Sequence, residues 1–224
     1  MASMYELMLQ LPIFQGISRS QLTKILEKTS FHFDRFNTGE VIYELDQKAE
    51  HIIFIISGEV RLTTPTFGGK MQIQEDFYAP HTMPFQNFFG VDTFYRSELV
   101  ALQPTGIMLL DKTNFLNVLQ QNMVLLVNVL NILSSHAQKQ HKGLDFSSET
   151  NPLHRLASWM LAYTNRPAHN IILNAKVSDW CNMLHLDQAE FWRAVAELEG
   201  RKCVEVDKDR IKLTDRYGLR AVLN

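Results

Sequence analysis

Residues 177–199 read Val177-Ser178-Asp179-Trp180-Cys181-Asn182-Met183-Leu184, then His185-Leu186-Asp187, then Gln188-Ala189-Glu190-Phe191-Trp192-Arg193-Ala194-Val195-Ala196-Glu197-Leu198-Glu199. Apolar residues at helical spacing on both sides of a three-residue break predict two short helices, 177–184 and 188–199, with Asp187 capping the second. Helices joined this tightly have the geometry of a helix-turn-helix, whose second helix can enter a major groove. Phe191, Val195 and Leu198 mark its buried face, which leaves Gln188, Ala189, Trp192 and Arg193 facing out. Arginine reads guanine O6 and N7 with two donors and glutamine pairs with adenine, so this face carries base-reading chemistry. His185 stands at the turn, where a left-handed residue is often needed, and histidine tolerates that conformation better than most.

Working outward, 203–206 and 210–213 read as two strands around the polar turn Asp207-Lys208-Asp209, a wing beside the helix pair. Lys176, Lys208 and Arg210 are candidate phosphate contacts, which give affinity without sequence information; solvated surface cations are the alternative for each. Upstream, 154–164 predicts a helix with Leu156, Trp159, Met160 and Tyr163 inward, ended by Asn165-Arg166-Pro167. The polar stretch 139–151, with Gly143 and Asn151-Pro152, reads as a hinge and a domain boundary.

Before the hinge, Leu116, Leu119, Met123, Leu126, Leu130, Leu133 and Ala137 repeat at alternating spacings of three and four, a heptad seam on one long helix. A second stripe, Val118, Leu125, Val129 and Ile132, lies on another face. One stripe is expected to pack on the chain's own strands and the other, Leu119, Met123, Leu126, Leu130, Leu133 and Ala137, to meet a second subunit about a two-fold axis. A helix buried internally on both faces is the competing reading.

From Phe31 the period falls to two. Strands are expected at 31–36, 41–44, 52–57, 59–64, 70–77, 99–102 and 107–110, after a short helix over 18–29 opened by the capping Ser18. Short strands at such regular spacing form a sandwich or barrel.

Composition sets the limits. The 224 residues are 46% hydrophobic and 21% charged, a globular mix with enough chain for one large or two small domains. No apolar run approaches the ~18 residues of a membrane span, and the first residues lack the basic start and apolar core of a secretory signal, so the expected address is the cytoplasm. The cysteines, Cys181 and Cys203, have no close ligand spacing, which excludes a zinc finger, a disulfide framework and a four-cysteine cluster. Net charge is −2, yet residues 1–153 carry 11 basic against 15 acidic side chains and residues 154–224 carry 11 against 9. The basic part is the part with the helix pair.

With these residues in view, the chain resembles the Crp/Fnr family of bacterial transcription regulators over nearly its whole length. Thr38-Gly39-Glu40-Val41-Ile42-Tyr43-Glu44 followed by Ile52-Ile53-Phe54-Ile55-Ile56-Ser57-Gly58-Glu59-Val60-Arg61-Leu62 looks like the family's β-roll strands, and 177–213 looks like its winged helix-turn-helix. The resemblance implies an α+β fold of three parts: a cyclic-nucleotide-binding-type β-roll (jelly-roll) sensor over 1–112, a dimerisation helix and hinge over 113–151, and a winged helix-turn-helix over 152–224. It implies a homodimeric, sequence-specific regulator on palindromic double-stranded DNA, with RNA polymerase as a candidate partner. Arg193 falls on the family's DNA-contacting arginine, whereas Gln188 and Ala189 stand where its best-known members place an arginine and a glutamate.

Residues 90–102 occupy the place of the family's phosphate cassette, so Gly90, Asp92, Arg96 and Ser97 are the candidate effector residues. Arg96 and Ser97 match the phosphate donors. The family's Gly-Glu pair, however, is Gly90-Val91, and Arg96 follows unusually closely, which argues against conventional cyclic AMP with Asp92 as the one available substitute acid. Phe77, Tyr78, Phe85, Phe88, Phe89, Phe94 and Tyr95 either pack a core or line an apolar pocket for haem or another hydrophobic effector, for which His32, His51 and His81 are conceivable ligands. Neither cofactor is favoured, and no metal site is assigned.

An enzyme is not expected. The chain has no H-x-H pair or His-His-carboxylate set, no Gly-rich phosphate loop and no G-x-S-x-G elbow. The competing functional reading is a cyclic-nucleotide- or haem-sensing interaction module without strong DNA binding.

Overall fold

The computed structural model describes residues 4–144 and 149–223, which form two compact units. One comprises Met1–Arg61 and Phe77–Ser135, the other Leu62–Asp76 and His136–Asn224. These units do not follow the linear segments 1–112, 113–151 and 152–224, because the middle of one hairpin groups with the C-terminal residues.

The first unit starts with helices α1 (Met4–Leu9) and α2 (Arg19–Lys28), the latter opened by a capping box between Ser18 and Gln21. Strands follow along the chain: β1 (His32–Phe36), β2 (Val41–Tyr43), β3 (His51–Ser57), β4 (Glu59–Thr66) and β5 (Met71–Tyr78), of which 62–76 belongs to the second unit, then β6 (His81–Thr82), β7 (Glu98–Ala101) and β8 (Thr105–Asp111). All seven expected strands form, within about two residues of their expected ends. One sheet runs β1-β8-β3-β6, with His32 opposite Leu109 and Ile53 opposite Leu109 on the other side; β2 pairs with β7. The β3–β4 turn requires Gly58: its φ is +93°, and a Cβ there would lie 2.4 Å from the Thr105 hydroxyl and 2.7 Å from the Pro104 carbonyl. Ile52, Phe54, Met108 and Leu110 from the sheet bury against Met8, Ile13, Phe14 and Leu22.

The single long helix expected over 116–137 is two helices, α3 (Lys112–Gln121) and α4 (Met123–Leu144), bent by 117°. Asn122 causes the break. Its backbone is extended, and its Oδ1 accepts from the amides of Val124 and Leu125 at 3.1 and 3.2 Å, capping the second helix. The heptad is therefore interrupted, and Leu119 is no seam residue: it lies on α3, buried in the first unit's core with Phe115 and Val118. On α4 the expected inner stripe holds, since Leu125 and Val129 are 1% and 3% exposed. Leu126 and Leu133 lean on the same core, whereas Met123 (70% exposed), Val127 and Leu130 (53%) face water, as does Ala137. Among the described residues no single helix is long and apolar enough to cross a membrane.

The expected hinge is corrected at its start: 139–144 continues α4 in helical form. Residues 145–148 of that stretch lie outside the described residues.

The second unit continues with α5 (Pro152–Tyr163), β9 (Asn170–Ala175), α6 (Val177–Leu184), α7 (Gln188–Gly200), β10 (Val204–Asp207), β11 (Arg210–Leu213) and α8 (Arg216–Ala221). Asn151 caps α5, and Pro152 takes its first position, where a missing N–H costs nothing. Strands run β10-β11-β9-β5, so the outer part of the β4–β5 hairpin completes this unit's sheet. Six residues of β5 pair antiparallel with β9, from Met71 opposite Ala175 to Asp76 opposite Asn170. Met71 and Ile73 are buried with Trp159, Trp180, Phe191 and Leu198 in one core.

A charged cluster is buried in this unit. The Glu75 carboxylate accepts from the backbone N–H of Asn165 and, at 2.6 Å, from its side-chain amide. Lys139 Nζ donates to the Thr164 carbonyl at 2.5 Å, and Arg216 donates to the Thr164 hydroxyl and to the Thr164 and Leu161 carbonyls at 3.0 and 2.7 Å. Two cations thus sit on the carbonyl end of α5, where the helix dipole is negative. Burial pushes the Glu75 pKa up and the Lys139 pKa down to about 8.

Candidate functional site

The outward face of α7 is built from below. Phe191, Ala194, Val195 and Leu198 anchor the helix in the core, with Trp180 stacked 5.9 Å from Phe191 and Trp159 edge-on to Trp180 at 4.9 Å. Spacing then dictates that Gln188, Ala189, Trp192 and Arg193 emerge, and all four are exposed, Trp192 by 42%. A capping box opens the helix: Asp187 Oδ1 accepts from the Glu190 amide at 2.7 Å, and Glu190 Oε2 accepts from the Asp187 amide at 3.0 Å. His185 ends α6 in the left-handed conformation (φ 51°, ψ 49°), as its position at the turn suggested.

The sequence reading missed what holds that turn. Arg155 of α5 donates through Nη1 to the Leu184 and His185 carbonyls at 2.8 and 3.0 Å, and through Nε and Nη2 to the Glu149 carbonyl at 2.8 and 2.5 Å. It is a positioning residue: a guanidinium fork satisfies carbonyls at the end of α6, at the turn that leads into α7. Arg155 is one of several arginines in the helical part of the sequence, and nothing in its neighbours marks it.

Lys176 precedes α6, Lys208 occupies the tip of the β10–β11 turn with φ +54°, and Arg210 opens β11; all three are exposed. Asp207 and Asp209 flank Lys208, so the wing tip is not uniformly basic.

Of the four expected effector residues in the first unit, Asp92 and Arg96 are brought together, though not as an open anion site. Loop 44–50 and segment 92–96 are laced by backbone bonds: Asp46 N–H to the Tyr95 carbonyl, Tyr95 N–H to the Gln47 carbonyl and Ala49 N–H to the Thr93 carbonyl, each at 2.8 Å. Tyr95 stacks on Tyr43 at 3.8 Å and donates its hydroxyl to the His51 carbonyl at 3.1 Å. On this frame Arg96 donates to Asp92 Oδ2 through Nε (3.0 Å) and Nη2 (2.5 Å), and to Asp46 Oδ1 through Nη1 (2.6 Å). Hydrogen bonding to Asp92 and its charge hold the guanidinium even more firmly in its charged form. Ser97 Oγ lies 3.5 Å from the Tyr43 hydroxyl, and Gly90 turns with φ +98° beside the exposed Val91.

These residues do not fit a cyclic nucleotide. The arginine expected to take the phosphate has carboxylates on two of its donor edges, and Val91 stands where an acid for a ribose hydroxyl is expected. Part of the aromatic run packs a core, with Phe85, Phe88 and Phe89 around Phe115 at ring-centroid distances of 6.0 to 6.4 Å, whereas Tyr78 and Phe94 are 56% and 43% exposed. His81 stacks on Phe77 at 4.5 Å, and burial lowers its pKa to about 4, while His32 and His51 meet edge to face at 6.3 Å.

Residues 33–122 match the family model of the cyclic nucleotide-binding domain. No curated protein matches the sequence. Among solved structures, the catabolite activator protein of Thermus thermophilus is 15% identical, covers 95% of this chain and 98% of its own, and superposes with a TM-score of 0.52. FixK2 of Bradyrhizobium japonicum is 13% identical over 86% of this chain and 96% of its own (TM-score 0.47), and the sensor domain of DNR from Pseudomonas aeruginosa is 20% identical over 58% and 91% (TM-score 0.47). The fold is accordingly α+β, a cyclic-nucleotide-binding-type β-roll followed by C-terminal helices.

Proposed function

We propose that this chain is a Crp/Fnr-type transcription regulator, not an enzyme, that acts in the cytoplasm as a homodimer on palindromic double-stranded DNA, with RNA polymerase as a further partner. The observation that carries the reading is the face of α7. A capped helix held by the Arg155 fork turns one polar, aromatic and basic surface outward and buries the rest. Arg193 and Gln188 read base edges, with Ala189 and Trp192 beside them making apolar contacts to bases and sugars. Lys176, Lys208 and Arg210 hold phosphates.

The second subunit is met through the outward side of α4, where Met123, Val127 and Leu130 expose a stripe of apolar surface. Two copies of α7 related by a two-fold axis read half-sites about one turn, ~34 Å, apart. Binding measured on a panel of duplexes tests the division of roles. Arg193→Ala is expected to cost about 1–3 kcal/mol and to relax preference at one position per half-site, whereas Lys208→Ala weakens every sequence alike and lowers the salt dependence. Equal losses on every duplex for both variants would refute it.

A further inference from the structure

The cluster around Arg96 consists of groups from two segments fifty residues apart, brought together by the backbone lacing of loop 44–50 onto 92–96. Asp46 holds φ +61° in that loop, a conformation aspartate tolerates and most residues avoid, and there its Oδ1 lies 2.6 Å from Arg96 Nη1. Asp92 takes the guanidinium from the side with two donors, the geometry a phosphate would claim. Two carboxylates against one guanidinium leave the site net negative, so an incoming phosphate anion meets both a satisfied arginine and like charge.

We propose that Asp92 and Asp46 are a built-in substitute for a ligand phosphate, which closes this sensor's cassette to cyclic nucleotides and to inorganic phosphate and ties loop 44–50 to segment 92–96 without an effector. The inference rests on the reading of the first unit as a cyclic-nucleotide-binding-type sensor and is independent of α7. It places the specificity of the cassette in two acids rather than in the loss of its arginine. The binding chemistry of Arg96 is intact beneath them.

That makes the proposal testable by gain of function. Full-length wild type, Asp46→Asn/Asp92→Asn and Asp46→Asn/Asp92→Asn/Arg96→Gln are titrated calorimetrically with cyclic AMP and, separately, with inorganic phosphate. The asparagines keep side-chain size and hydrogen bonding, and circular dichroism with a thermal melt checks that each variant is folded. Wild type is expected to give no saturable heat with either probe. The double variant should bind at least one of them about tenfold or more tighter than wild type, and the triple variant should lose that gain. The idea is overturned by wild-type binding of cyclic AMP, by a folded double variant that binds no better than wild type, or by a gain that survives removal of Arg96. Should the double variant fail to fold, Asp92→Asn alone, which removes the negative charge on the two-donor side of Arg96, decides the question by the same criteria. None of these outcomes bears on DNA binding, which the Arg193 and Lys208 variants read separately.

Discussion

Arg96 in the first unit and Arg216 in the second are both held in networks of charge and hydrogen bonds, yet water makes them different devices. Arg96, Asp46 and Asp92 are each about half exposed. Their contacts compete with solvent, so the cluster contributes little to stability. Glu75 is 2% exposed, and Lys139 and Arg216 are partly buried with it. Removing one of these leaves the others desolvated and uncompensated. The exposed cluster is suited to specificity, and the buried one holds the hairpin, α4 and α5 in register within the second unit.

Four measurements break or sharpen that contrast. The largest effect is expected for Glu75→Ala, which strands the Asn165 amides and removes the buried carboxylate whose charge offsets those of Lys139 and Arg216: about 3–5 kcal/mol by urea unfolding, and a loss under about 1 kcal/mol would mean that the cluster is solvated after all. Apolar residues should obey the same rule. Leu125→Ala, at a 1% exposed position, should cost about 2–4 kcal/mol. Leu130→Glu, at a 53% exposed one, should leave the melt of the subunit in place and lower only the sedimentation mass.

The third effect depends on pH. Lys139 releases its proton near pH 8 in the folded chain, against 10.5 as the ordinary value. Between those values the unfolded chain binds more protons, so the stability of wild type relative to Lys139→Met should rise with pH from 8 to 10.5, by about 1 kcal/mol per unit at most. A flat difference would place Lys139 in water. The smallest effect is the exposed counterpart: Asp92→Asn should leave the urea midpoint unchanged, and a large drop would make the Arg96 cluster structural.

Local pattern made much of this legible. Period-two strands, the Asp187 cap and the left-handed His185 follow from residue types at fixed offsets. So does the outward set Gln188, Ala189, Trp192 and Arg193. The break at Asn122 was hidden because the heptad spacing runs through it unchanged; the signal is a side chain able to cap, which periodicity does not weigh. Strand β9 is visible in retrospect, since Ile171, Leu173 and Ala175 alternate with Asn170, Ile172 and Asn174. Its partner β5 lies about a hundred residues upstream, a pairing no local window contains. Arg96 shows the same limit. Its type suggested a phosphate donor, but Asp46, the acid that helps to occupy it, arrives by way of the fold.

Reading of DNA by α7 from a two-fold dimer is tested by selecting random duplexes with the purified 224-residue chain. Enrichment of an inverted repeat with half-sites about one helical turn apart is expected, lost with Arg193→Ala. Recovery of unenriched sequence, or of a single asymmetric half-site by a monomer, would contradict it.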